Sequence, residues 1–189
     1  RSYQILPNSR LVRSQSANSF DIFNFLSSQS GFITSVTDTV DTRLDNGSVL
    51  QEVLNAGTVI QRVSLEYSID PRIFLAFLEY YGRWLSQSNI PEDLKSHPVI
   101  SVEQSAGFDR AGLYKQLSWL GNELNRGYYN WRYRGATLVE LSDGTRQFYN
   151  TGLNAGTVAL QYVLAINAPL SQWEYDISEA GFATVYRRY

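Results

Sequence analysis

Apolar side chains recur with helical spacing through most of the chain, most sharply from Asp70 to Ser86, DPRIFLAFLEYYGRWLS. At about 100° per residue, Ile73, Phe74, Phe77, Tyr80, Tyr81, Trp84 and Leu85 fall on one broad arc, with Ala76 and Leu78 at its margins. The spacing predicts a helix buried in the core. Asp70 can cap its start, and Pro71 stands at the first helical position, where a missing N–H costs nothing. Arg72, Glu79, Arg83 and Ser86 fall on the opposite side, and Glu79 to Arg83 is the order of a favourable surface ion pair.

Around this helix the pattern is uneven. Residues 1–18 have few periodic apolar positions and read as an extended lead-in to a single domain over 19–189. Ser19 is placed to cap a helix carrying Phe20, Ile22, Phe23, Phe25 and Leu26. A helical segment is expected from Phe32 to about Leu44, then the turn Asp45-Asn46-Gly47, then helix again from Ser48 through Val63 and Leu65. Ser88 to Phe108 holds Pro91 and Pro98 with little periodicity and reads as an ordered loop. Ala111 to about Asn125 places Leu113, Leu117, Leu120 and Leu124 in one stripe, with Gly127 as its stop. Ser142-Asp143-Gly144 between Ala136–Leu141 and Thr145–Tyr149 is a hairpin signal. Helix is expected over about Ala155 to Ile166, then in short pieces at Ser171–Tyr175 and Gly181–Arg188. Leu54-Asn55-Ala56-Gly57-Thr58-Val59 recurs as Leu153-Asn154-Ala155-Gly156-Thr157-Val158, which reads as two similar helix starts rather than a repeat period. The fold class is mainly α with one small β-hairpin.

Composition narrows the chemistry. The chain has 189 residues, 43% hydrophobic and 14% aromatic, enough for one well-buried domain. Its formal charge of −2 offers no general field for nucleic acid or an anionic membrane. There is no Cys and a single histidine, His97, beside Pro98 in the loop. Neither a disulfide, a thiolate site nor a zinc site can be assembled from that set, and no cofactor is expected. No run is long enough for a transmembrane segment. A chain that opens at Arg1 and holds no Met suggests a processed or excerpted segment of a longer exported protein, with YRRY as a cut ahead of another domain.

The run Ile69-Asp70-Pro71-Arg72-Ile73-Phe74-Leu75-Ala76-Phe77-Leu78 resembles the soluble lytic transglycosylase and goose-type lysozyme superfamily. There an Asn/Asp-Pro helix ends in Glu-Ser-x-Phe, which bears the catalytic acid. The chain is similar in particular to lysozyme-like domains of bacterial envelope proteins, of the kind found ahead of lysostaphin-type peptidase domains. That likeness is carried by Leu6-Pro7-Asn8-Ser9, Phe20-Asp21, Leu78-Glu79-Tyr80, Gly112–Leu117, Asn125–Tyr129 and Asn154–Thr157. The resemblance implies a lysozyme-like helical domain, secreted to the cell envelope or outside the cell. Its implied partners are cell-wall glycan or another polysaccharide, and other domains of a longer envelope protein. Matching the family Phe to Trp84 puts the acid position on Tyr81 and the Ser on Gly82. Glycoside cleavage needs a carboxylic acid held protonated by burial, and a phenol with an ordinary pKa of about 10 is a far weaker donor. Glu79 lies about 200° around the helix from Tyr81.

A second cluster is Gly127-Tyr128-Tyr129-Asn130-Trp131-Arg132-Tyr133-Arg134. Aromatic faces suit sugar rings, and Arg, Asn and Tyr can hydrogen-bond their hydroxyls; the same side chains could instead pack on neighbouring helices with Arg over the rings. The sequence reading is therefore a domain that engages peptidoglycan or a related glycan without hydrolysis, through Tyr81, Trp84, Tyr128, Tyr129, Trp131, Arg132 and Tyr133. Its alternatives are an active muramidase or lytic transglycosylase using Glu79, or a carboxylate such as Glu103 or Asp109, and a structural protein–protein module of the cell surface.

Overall fold

The structure is a computed structural model that describes residues 1–189. It is mainly α, with helices α1 (Asn8–Leu11), α2 (Gln15–Asn18), α3 (Ile22–Ser27), α4 (Ala56–Tyr67), α5 (Pro71–Gly82), α6 (Glu92–Ser96), α7 (Leu113–Tyr133), α8 (Ala155–Asn167), α9 (Leu170–Asp176) and α10 (Phe182–Tyr186). Strands β1 (Thr37–Arg43) with β2 (Val49–Asn55) and β3 (Leu138–Glu140) with β4 (Arg146–Phe148) form two separate antiparallel hairpins.

Helix α5 is the buried centre. Every residue from Pro71 to Glu79 is buried, and Asp70 caps its start by accepting the Arg72 N–H at 3.0 Å. Arg72, expected on a solvated face, instead turns back onto Asp70, donating from Nε at 2.9 Å and Nη2 at 2.5 Å, and lies over the Phe20 ring. The expected Glu79–Arg83 pair does not form. Glu79 is 1% exposed, and Arg83 is the left-handed residue (φ 56°) that ends the helix.

The hairpin at Leu138–Phe148 stands where its turn signal put it. A second, longer hairpin occupies residues 37–55, where helix was expected. Alternating β-branched and polar residues (Thr37, Thr39, Val40, Thr42) favour the pleat over the helix, and Asp45-Asn46-Gly47 supplies its turn. Most of this hairpin is exposed, with Val40 its one buried residue. Its Asp38 reaches across to cap α7, accepting the Tyr114 N–H at 2.7 Å. Asp21 rather than Ser19 caps α3, accepting from Phe23 and Asn24.

The recurring six residues are indeed two helix starts: Asn55 accepts the Thr58 N–H at 2.9 Å and Asn154 the Thr157 N–H at 2.8 Å. Both helices they open, α4 and α8, pack against α7. Helix α7 does not stop at Gly127. A Cβ there would lie 3.0 Å from the Ala159 Cα, so the glycine lets α7 and α8 approach closely and the helix runs on to Tyr133. Residues 1–18 contain two single-turn helices and bury Ile5, Leu6 and Leu11; the Leu11 carbonyl accepts the Asp70 N–H at 3.0 Å. The 88–108 stretch is loop apart from α6 and one 3-10 turn at Glu103–Ser105.

Candidate functional site

Two buried aromatics shape the C-terminal end of α5. Trp173 of α9 is fully buried and donates its indole N–H to the Gln161 carbonyl at 2.9 Å, fixing α9 on α8. Phe182 of α10 is fully buried against Phe77, ring centres 4.5 Å apart, and against Tyr80 at 5.6 Å, fixing α10 on α5. The turn between α9 and α10 comes so close to its own start that a Cβ on Gly181 would sit 2.3 Å from the Tyr175 carbonyl oxygen. Between these elements lies a cleft of about 530 Å³, lined by Tyr80, Tyr81 and Arg83 from the end of α5, Asn167 and Ala168 from the end of α8, Gln172, Tyr175 and Asp176 of α9, and Thr184, Val185 and Arg188 around α10.

Asp176 is the one carboxyl in that lining and is 1% exposed. Its Oδ1 accepts from the Tyr80 hydroxyl at 2.5 Å and from Gln172 Nε2 at 2.7 Å, while its Oδ2 has no protein partner. Burial pushes the carboxyl above its ordinary value, with the two hydrogen bonds pulling the other way. Tyr80 is raised by burial and then by its bond to Asp176. Tyr81 is raised by burial, with the neighbouring Asn167 amide pulling the other way, and its buried hydroxyl makes no hydrogen bond of ordinary geometry. Asn167 beside it donates to the Val99 carbonyl at 2.9 Å and leaves its own Oδ1 unpartnered.

Glu79 has a different place. Its Oε2 accepts the N–H groups of Leu85 at 3.0 Å and Ser86 at 3.1 Å, and it does not line the cleft. The carboxyl ties the chain reversal after α5 to the helix that precedes it. Trp84 is 0% exposed, packs edge-on against Phe32 and donates its indole N–H to the Leu94 carbonyl at 2.9 Å. It presents no face to a ligand, which corrects its expected role. Glu103 and Asp109 are exposed and outside the cleft; Asp109 accepts the Ala111 N–H and pairs with Lys115.

The aromatic cluster of 127–134 forms the last turns of α7. Tyr129 and Tyr133 are 51% and 67% exposed and stacked, ring centres 5.9 Å apart, with Arg132 over Tyr133 and Tyr128. Trp131 is half-buried against Tyr149. None of the residues of this face lines the cleft at the end of α5. Tyr81 and the Tyr128–Tyr133 cluster are therefore not brought together. Sequence reasoning missed Asp176, which lies one residue past the expected Ser171–Tyr175 helix; its partner Tyr80 is 96 residues away, and no local signal joins them.

A family model described as LasA, N-terminal domain, matches residues 4–189. No curated protein and no solved structure matches the chain.

Proposed function

The chain belongs to the LasA N-terminal domain family, a family of secreted proteins, and from that premise we propose that it engages peptidoglycan or a related glycan without hydrolysing it through Glu79. No helix is long and apolar enough to cross a membrane. The observation that carries the reading is the cleft at the end of α5, which is lined by Tyr81, the residue that the sequence resemblance sets at the acid position, while Glu79 is bound to two backbone amides outside the lining. Raised by burial, the Tyr81 phenol is an even poorer proton donor than a free one. Its hydroxyl is itself buried, so the polar groups this end of the cleft offers to a sugar are the exposed Gln172 amide and the Asp176 carboxyl that the amide bonds. The lysozyme-like reading of the fold rests on the Asp70-Pro71 helix ending at this cleft.

A second reading, cleavage of the glycan, is favoured by Asp176, a buried carboxyl with one free oxygen. Cleavage by a carboxylate pair needs a second acid across the sugar, and the cleft lining holds one. The proposal is tested by co-sedimentation with purified sacculi. Gln172→Ala and Asp176→Asn are expected to weaken binding at least several-fold. Tyr129→Ala and Tyr133→Ala, on the separate aromatic face, measure any share of that surface. Wild-type binding in all four variants would overturn the proposal and leave the exposed tyrosines to a protein–protein role.

A further inference from the structure

The mouth of the cleft is cationic and its floor is a hydrogen-bonding carboxyl. Arg83 and Arg188 both line the cleft and are exposed. Arg187, next to Arg188 in the chain, is by contrast already paired with Glu179. No carboxylate lies within ion-pairing distance of Arg83 or Arg188. The two come from different elements, one from the left-handed end of α5 and one from the turn after α10. Two unpaired guanidiniums lining one cleft can match a carboxylate by planar, bidentate hydrogen bonding. Deeper in, the free Oδ2 of Asp176, held in place through Oδ1 by Tyr80 and Gln172, can bond a hydroxyl or an amide N–H of the same ligand. A purely neutral ligand would leave both arginines unused, and a simple inorganic anion would leave Asp176 without a partner or repelled.

We infer that the cleft takes an acidic saccharide, a sugar unit bearing a carboxylate, with that carboxylate on Arg83 and Arg188 and a hydroxyl or amide of the same unit on Asp176. This rests on the glycan reading above and names the substrate class of that site. The carboxylate could belong to a lactyl ether of an amino sugar or to a uronic acid, and both present the same group to the arginines.

The test is a titration of the full 189-residue chain, followed by amide chemical shifts, with N-acetylmuramic acid and with trigalacturonic acid, each set beside its methyl ester. At least one acid is expected to bind ten-fold or more tighter than its own ester and to shift the amides of Arg83, Ala180 and Gly181. Which acid does so distinguishes the lactyl source from the uronic one. Arg83→Gln with Arg188→Gln is expected to remove the preference for acid over ester, and Arg188→Gln alone to reduce it, with the thermal transition unchanged because both side chains are exposed. Rising salt should weaken the acids and not the esters. Equal binding of acid and ester would overturn the acidic-ligand inference while the glycan reading stands. Retained binding to sacculi with no response to any of the four probes would remove the ligand from this cleft. Loss of sacculus binding altogether would overturn both.

Discussion

Glu79 and Tyr81 stand two positions apart on α5 and meet opposite surroundings. The glutamate holds the Leu85 and Ser86 amides, and its other oxygen is buried without a partner. Glu79→Gln keeps one acceptor for the amides but forces an NH2 group into a place that offers it no acceptor. The expected loss is about 1–3 kcal/mol in urea unfolding, with binding to sacculi retained. A variant of wild-type stability that no longer binds would put Glu79 in the site instead. Asp176 carries a pH signature of its own. Burial raises its carboxyl in the folded chain, whereas the unfolded chain titrates at about 3.9. Between those values the folded state keeps a proton that the unfolded chain has released, so this group's contribution to stability falls as pH rises through that window. Asp176→Asn abolishes the titration. The stability of the variant relative to wild type is therefore expected to increase as pH rises from about 4 through the raised value, and a constant difference across urea midpoints would contradict the assignment.

At the scale of elements, the two Asn-Ala-Gly-Thr starts offer an internal control. Asn55 only caps α4, whereas the Asn154 side chain also donates to Gln4 Oε1 at 2.6 Å and to the Leu6 carbonyl at 2.9 Å, tying residues 1–18 to α8. Asn55→Ala is expected to cost about 1 kcal/mol and Asn154→Ala about 2 kcal/mol; equal costs in thermal melts would show that the N-terminal ties add nothing. These caps, the Asp70-Pro71 start and the Asp143-Gly144 turn were legible because each is a local device whose partners lie within a few residues. The β1–β2 hairpin was not, because its strands bury almost nothing and so carry no clear apolar period. Gly127 misled for a related reason: a glycine that ends a helix and one that lets two helices touch look alike until the second helix is in place. The cleft was legible at Tyr81 and illegible at Asp176, since the Tyr80–Asp176 bond exists only after α9 and α10 have packed onto α5.

For the whole molecule, the first and last parts of the chain close over the same core. Ile5, Leu6 and Leu11 are buried beside α8 and the start of α5, and Phe182 seals the other end of α5. Burying one such aliphatic side chain contributes roughly 1.5–3 kcal/mol, against a total of about 5–15 kcal/mol for a domain. Removal of residues 1–12 is expected to abolish or severely lower the cooperative melt followed by circular dichroism, and an unchanged midpoint would make the segment dispensable. The same packing builds the cleft from four helices and leaves Glu79 outside its lining, so the proposed glycan site has no proton donor from α5 other than tyrosine. The most direct test is release of soluble muropeptides from purified sacculi that the protein demonstrably coats. The account predicts binding with no product above the protein-free control, and product release that disappears in Glu79→Gln would contradict it.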